Sequence, residues 1–163
     1  ISRWLGPIPK DTYVEFPNRL FEERGKHVSS ELVENVYRLF DGCTWFMQMM
    51  MNELFALTGH DETCSVDKLD EARKNVIQAQ EVSYKDLLAR LAPKQKLILQ
   101  AIAKERLVKG ITSSAFIKKY NLPSASSVQA ALKPLLKNDL VTQDGDAYRV
   151  YDYFFAEWLA KSY

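Results

Sequence analysis

The chain has 163 residues, 47% of them hydrophobic and 26% charged, with a net charge of +1, which is the balance of a water-soluble globular protein of one large or two small domains. The densest apolar stretch, Trp45 to Met51, is broken by Gln48 and followed by Asn52 and Glu53, far short of the roughly 18 apolar residues that a membrane span needs. Cys43 and Cys64 are the only cysteines, too few for a disulfide framework, and with no secretion signal they point to the cytoplasm.

The first residue is Ile1 rather than Met, so a longer parent protein is expected. Charge is unevenly spread. Residues 1–90 hold 11 Lys/Arg against 15 Asp/Glu, a net −4, whereas residues 91–163 hold 11 against 6, a net +5. The C-terminal part is the one suited to a polyanion.

Taken in chain order, the first elements read as helices separated by strong stops. Tyr13, Phe16, Leu20 and Phe21 recur at helical spacing, with Pro17 expected to begin or kink the segment because it has no N–H to donate. Gly25 ends it. Ser29 or Ser30 caps a second helix with Leu32, Val36, Leu39 and Phe40 as its stripe, closed at Gly42. Thr44 starts a third, with Phe46, Met50, Leu54 and Leu57 on one face and Trp45, Met47, Met49 and Met51 widening it. A helix this apolar is expected to be buried on several sides, so the methionines are read as core rather than as a peptide groove. After a polar connection from Gly59 to Ser65, Leu69, Ala72, Val76 and Ile77 mark a fourth helix. Ser83 and Asp86 resemble a weakened capping box for a short fifth helix with Tyr84, Leu87, Leu88 and Leu91. Ala92-Pro93 is the expected domain boundary, giving residues 1–91 and 92–163.

Beyond Pro93 the pattern becomes three helices and a hairpin. Leu97, Ile98, Ala101 and Ile102 line the first helix, and Thr112 caps a short second one bearing Phe116 and Tyr120. Asn121-Leu122-Pro123 is a turn. Ser124 or Ser126 caps a third helix with Val128, Ala131, Leu132 and Leu135 inward. Leu140–Gln143 and Tyr148–Tyr151 read as strands joined by Asp144-Gly145-Asp146. This order is that of a winged helix-turn-helix with a two-stranded wing, followed by a last helix carrying Phe154, Phe155, Trp158 and Leu159. The fold class is therefore mainly α: a helical bundle, then a winged helix-turn-helix domain.

Catalytic constellations are missing from the sequence. A P-loop needs two glycines five positions apart followed by Lys and Ser/Thr, because bare backbone amides must wrap the phosphates. Gly25-Lys26 has Leu20 in place of the first glycine and His27 in place of the hydroxyl. His60 and Cys64 stand four apart across an Asp-Glu-Thr loop, and zinc usually draws on close pairs at both ends of its site. Ser113, Ser114, Ser124, Ser126 and Ser127 have neither a nearby histidine nor a glycine elbow and read as caps and helix surface. No catalytic, cofactor or metal residue is assigned, and the chain is expected not to be an enzyme.

The candidate nucleic-acid-binding residues lie in the basic half. A recognition helix sets its N-terminal side chains in the major groove, here Ser124, Ser126, Ser127 and Gln129, and needs cations beside phosphates, here Lys118, Lys119 and Lys133 with Arg149 on the wing. The recognition helix carries no arginine to read guanine bidentately, and Pro134 is expected to kink it.

Together these residues resemble the C-terminal half of a prokaryotic AAA+/STAND ATPase of the archaeal-type families. Phe16 with Leu20-Phe21, and Gly42-Cys43-Thr44-Trp45-Phe46-Met47-Gln48, are similar to the lid helices. Gln95–Glu105, Thr112-Ser113, Phe116–Tyr120, Ser124–Val128, Leu135-Leu136 and Asp139–Val141 are similar to the family's winged helix, and the ending Tyr148–Leu159 is the most specific piece. The resemblance implies a parent ATPase whose Walker motifs, ATP and Mg²⁺ belong to an N-terminal nucleotide-binding domain missing from this chain. That domain would be its principal partner, with DNA or another protein as further partners and no membrane. The alternative is a stand-alone DNA-binding transcriptional regulator of the winged-helix class.

Overall fold

The computed structural model describes residues 8–162. They fall into two compact units that meet in sequence between Ala79 and Gln80.

The first unit holds α1 (Lys10–Glu22), β1 (His27–Val28), α2 (Ser30–Leu39), α3 (Thr44–Ala56), β2 (Thr63–Cys64) and the first half of α4 (Leu69–Ala89). Helix α1 continues through Pro17, which lies inside it, although the ring removes the N–H that would have bonded Tyr13. Its buried residues are Tyr13, Pro17 and Phe21, a stripe at steps of four. Phe16 and Leu20, assigned to the inner stripe by periodicity, stand instead on the outer side, 52% and 43% exposed. Ser29 caps α2 by accepting the Leu32 N–H at 3.2 Å, and Gly42 closes it with a left-handed φ of +73° and a backbone bond to Tyr37.

Helix α3 supplies much of this core through Phe46, Met47, Met50, Met51 and Leu54. Trp45 points outward, 68% exposed. The last carbonyls of α3 have no partners within the helix, and side chains from elsewhere take them. Lys26 Nζ donates to Phe55 O and Lys68 Nζ to Leu57 O, each at 2.8 Å; Thr58 Oγ1 donates to Leu54 O at 2.6 Å. Two ammonium groups thus meet the negative end of the helix dipole, where Phe55 O also accepts the Thr58 N–H at 3.3 Å. Lys26 also sits 3.9 Å from the Phe55 ring centroid. The strands β1 and β2 pair in parallel, His27 with Thr63 and Val28 with Cys64. Neither is foreseen by the sequence reading, since two residues are too few to display alternation.

The second unit begins inside α4, upstream of the expected boundary at Ala92-Pro93, which is only the junction of α4 and α5. The short fifth helix does not exist separately. Ser83 lies within α4, where no Gly or Pro interrupts the chain and Glu81 pairs with Lys85 across it at 2.9 Å. Helix α5 (Pro93–Glu105) follows, then β3 (Val108–Lys109), α6 (Ser114–Lys119), α7 (Ala125–Lys137), β4 (Val141–Asp144), β5 (Ala147–Val150) and α8 (Tyr153–Ser162).

Helix α5 is the centre of this unit. It buries Ile98, Leu99, Ala101, Ile102 and Ala103 because α7, α8 and β5 all pack on it. The sheet is antiparallel in the order β3-β5-β4, with Val108 opposite Tyr148 and Val141 opposite Val150. The wing is the expected two-stranded hairpin, β4 and β5, and the sheet gains a third strand that the sequence does not indicate, the two-residue β3 on the outer edge of β5. Gly145-Asp146 joins β4 to β5, with Gly145 at φ +60°, the conformation that a two-residue hairpin loop asks of its first position. Asp152 caps α8: one carboxylate oxygen accepts the N–H groups of Phe154 at 2.8 Å and Phe155 at 3.0 Å. Phe154, Phe155, Trp158 and Leu159 are all buried. The Tyr84 ring lies 5.0 Å from that of Phe155 and 5.6 Å from that of Trp158, which joins the C-terminal part of α4 to this core.

Candidate nucleic-acid interface

The helix-turn-helix is α6, the turn from Tyr120 to Ser124, and α7. Ser113, rather than Thr112, caps α6 by accepting the Phe116 N–H at 3.2 Å. Asn121 takes the left-handed turn position at φ +51°, and Leu122 N–H bonds back to Ile117 O. Ser124 caps α7 by accepting the Ser127 N–H at 3.2 Å; its hydroxyl also lies 3.1 Å from that of Ser126. Ser124 is thus engaged in holding the helix start. Val128, Ala131, Leu132 and Leu135 turn inward, so Ser126, Gln129, Lys133 and Lys137, at steps of three and four, share the exposed face. Ser127 is only half-exposed. Helix α7 runs on through Pro134 to Lys137.

The candidate cations divide into two kinds. Lys118 and Lys133 are exposed, and no carboxylate pairs with either among the described residues. Lys119 is ion-paired to Glu105 at the end of α5, and the Tyr120 hydroxyl donates to the same carboxylate oxygen. The Lys119 ammonium holds the Glu105 carboxyl below its ordinary range, with the Tyr120 hydroxyl adding to the effect. Glu105 in turn raises the Lys119 ammonium above its own. Arg149 folds back on the wing: Nη1 donates to Val150 O at 3.2 Å and Tyr151 O at 3.1 Å, and the guanidinium lies 4.6 Å from the Tyr153 ring centroid. Two of the four candidate cations therefore have internal partners.

Lys137, which the sequence places with Lys133 farther along the recognition helix, lies on the same exposed face as Gln129 and Lys133. The signal for it is the i, i+4 step from Lys133, which carries across Pro134 only if the helix does. His60 is 2.9 Å from the Asp61 carboxylate, while Cys64 is buried near Leu54 O and burial pushes its thiol up. Among the described residues no His, Cys, Asp and Glu group is arranged to hold a metal, and no helix is long and apolar enough to cross a membrane.

Residues 82–161 match a family model described as a probable winged helix domain, and this segment is a winged helix. Among curated proteins, none matches the chain. A solved structure, the Walker-type ATPase of Pyrococcus abyssi, is similar to it with a TM-score of 0.66 and 24% identity. The similarity covers 97% of this chain and 45% of that one, so this chain spans less than half the length of the ATPase it resembles. The two findings agree with the fold of the C-terminal winged-helix region of an archaeal-type ATPase.

Proposed function

We propose that the chain is the non-catalytic C-terminal regulatory region of an ATP-binding AAA+/STAND-type ATPase, acting in the cytoplasm. Its helical bundle serves as a lid to the nucleotide-binding domain, and its winged helix makes weak contacts with DNA or protein. The observation that carries this reading is the likeness along almost the whole chain to under half of a Walker-type ATPase. The sequence adds support, since no P-loop occurs in it and backbone amides without paired glycines cannot wrap a triphosphate. ATP and Mg²⁺ would belong to the missing domain.

The isolated chain, supplied with ATP and Mg²⁺, is expected to release no phosphate above the buffer background. Turnover that stayed with the folded protein through repurification would overturn the assignment. The coding sequence upstream of Ile1 is a second check, in which a P-loop is the expected finding. A natural start codon close to Ile1 would favour the stand-alone transcriptional regulator. That second reading draws on the exposed stripe of Ser126, Gln129 and Lys133, whose composition suits a groove-facing helix.

A further inference from the structure

The turn that follows α5 holds a strained residue. Arg106 lies at φ +66° and ψ −49°, and the Leu107 N–H closes onto Glu105 O at 2.8 Å, which makes residues 105–107 a γ-turn of the rare, strained hand. The other non-glycine residues at positive φ are Asp41, Asp61, Asn121 and Asp139, of the types that tolerate that region best. Arginine has no such tolerance. A residue held there persists only where its surroundings over-determine it, and here they act from both sides. Lys119 and the Tyr120 hydroxyl bind Glu105 from the end of α6, and Val108 is registered against Tyr148 in the sheet.

The Arg106 side chain is exposed, and no carboxylate pairs with it among the described residues. No contact within the chain therefore accounts for an arginine at this position, and a partner outside the chain does. The charge pattern identifies its chemistry. Residues 91–138 hold nine Lys/Arg against one acid, Glu105, whereas residues 139–163 hold two against five. The one acid of the helical part is already engaged by Lys119 and Tyr120, while the wing tip carries the exposed carboxylates of Asp144 and Asp146. A phosphate backbone is thus drawn to the helices of this unit and repelled by its wing tip. The Glu105 anchor sets the γ-turn against the end of α6 that carries the exposed Lys118, just ahead of the recognition helix α7.

We infer that Arg106 is a phosphate contact for duplex DNA, held in place by the γ-turn and acting with Lys118 while the exposed face of α7 meets the groove. The inference rests on the reading that the winged helix contacts DNA, and adds to it a residue outside the helix-turn-helix and the wing.

The test is titration of the 163-residue chain and its variants onto a random-sequence duplex over a series of salt concentrations, with the melting temperature of each variant measured alongside. Arg106→Gly should lower the slope of log affinity against log salt by about one. It should also melt at or above the native temperature, since glycine takes positive φ without strain. Arg106→Lys should keep the native slope, because a point charge suffices for a phosphate. An unchanged slope in Arg106→Gly would overturn the inference and leave the DNA reading in place. So would an Arg106→Lys variant that lost as much as the glycine variant, because the turn and not the charge would then be responsible. A glycine variant that melted clearly lower would give Arg106 a role in stability and overturn the inference from strain. A native chain that bound no duplex would remove the DNA reading together with the inference, while the ATPase assignment would still answer to its own test.

Discussion

Asp152 shows how one side chain can serve a helix and oppose its own charge. Its carboxylate accepts two N–H groups at the start of α8, which favours the ionised form. Burial nevertheless dominates and raises the carboxyl above its ordinary range. An acid with a raised folded-state pKa contributes stability that is complete below its unfolded pKa and is lost as pH rises through the folded value. Asp152→Asn keeps the acceptor and removes the charge. It should therefore equal the native protein in thermal stability near pH 4 and match or exceed it at pH 7. Asp152→Ala loses the cap and should cost about 1 kcal/mol near pH 4 and less at pH 7, where it also removes the buried charge. An Asn variant clearly less stable than the native protein at pH 7 would show that the two hydrogen bonds to the carboxylate outweigh burial. Arg149 and Lys119 carry a related lesson. Their residue types suit a phosphate, but backbone carbonyls, an aromatic ring and Glu105 engage them first.

At the scale of elements, two prolines test how far local rules govern this fold. Pro17 and Pro134 each lie within a helix, but only Pro17 is buried. Alanine at either position restores a backbone donor and removes the ring's clash with the preceding turn, a propensity difference of about 3 kcal/mol in a helix interior. At Pro134, which is only partly buried, that gain should survive as a rise of about 1–3 kcal/mol in unfolding free energy. At Pro17 the lost ring contacts with the core should offset most of it, as deletion of buried methylenes usually does. Chemical denaturation of both variants reads the contrast, and equal stabilisation at the two sites would refute the packing role given to Pro17. The same scale explains the errors in the element boundaries. A local Ser-Asp pattern suggested a cap at Ser83, but continuous helix propensity and the packing of Tyr84 on α8 carry α4 past it.

For the whole molecule, the distribution of free and engaged cations sets the expected behaviour toward DNA. With a net +5 in residues 91–163 but no arginine on α7, duplex binding should be weak, salt-sensitive and nearly sequence-independent. Neutralising Lys118 or Lys133 should each lower the salt slope by about one, whereas neutralising Lys119 or Arg149 should change it less because those groups already have partners. Titration onto random and selected duplexes at two salt concentrations measures this. Salt-resistant nanomolar binding to one sequence, abolished by Gln129→Ala, would favour the transcriptional regulator. The sequence by itself determined the helix-turn-helix with its hairpin, a serine cap on α7 at Ser124 or Ser126, and the inward face of that helix, because capping, turn chemistry and 3.6-residue periodicity are local and write themselves into neighbouring residues. The missing P-loop was legible for the same reason. Tertiary structure alone decided the third strand of the winged-helix sheet, the parallel pair β1–β2, the continuity of α4, the outward turn of Phe16, Leu20 and Trp45, and the internal engagement of Arg149 and Lys119. Each of these depends on a partner distant in the chain or on which side of a helix its neighbours occupy, and no run of adjacent residues records that choice.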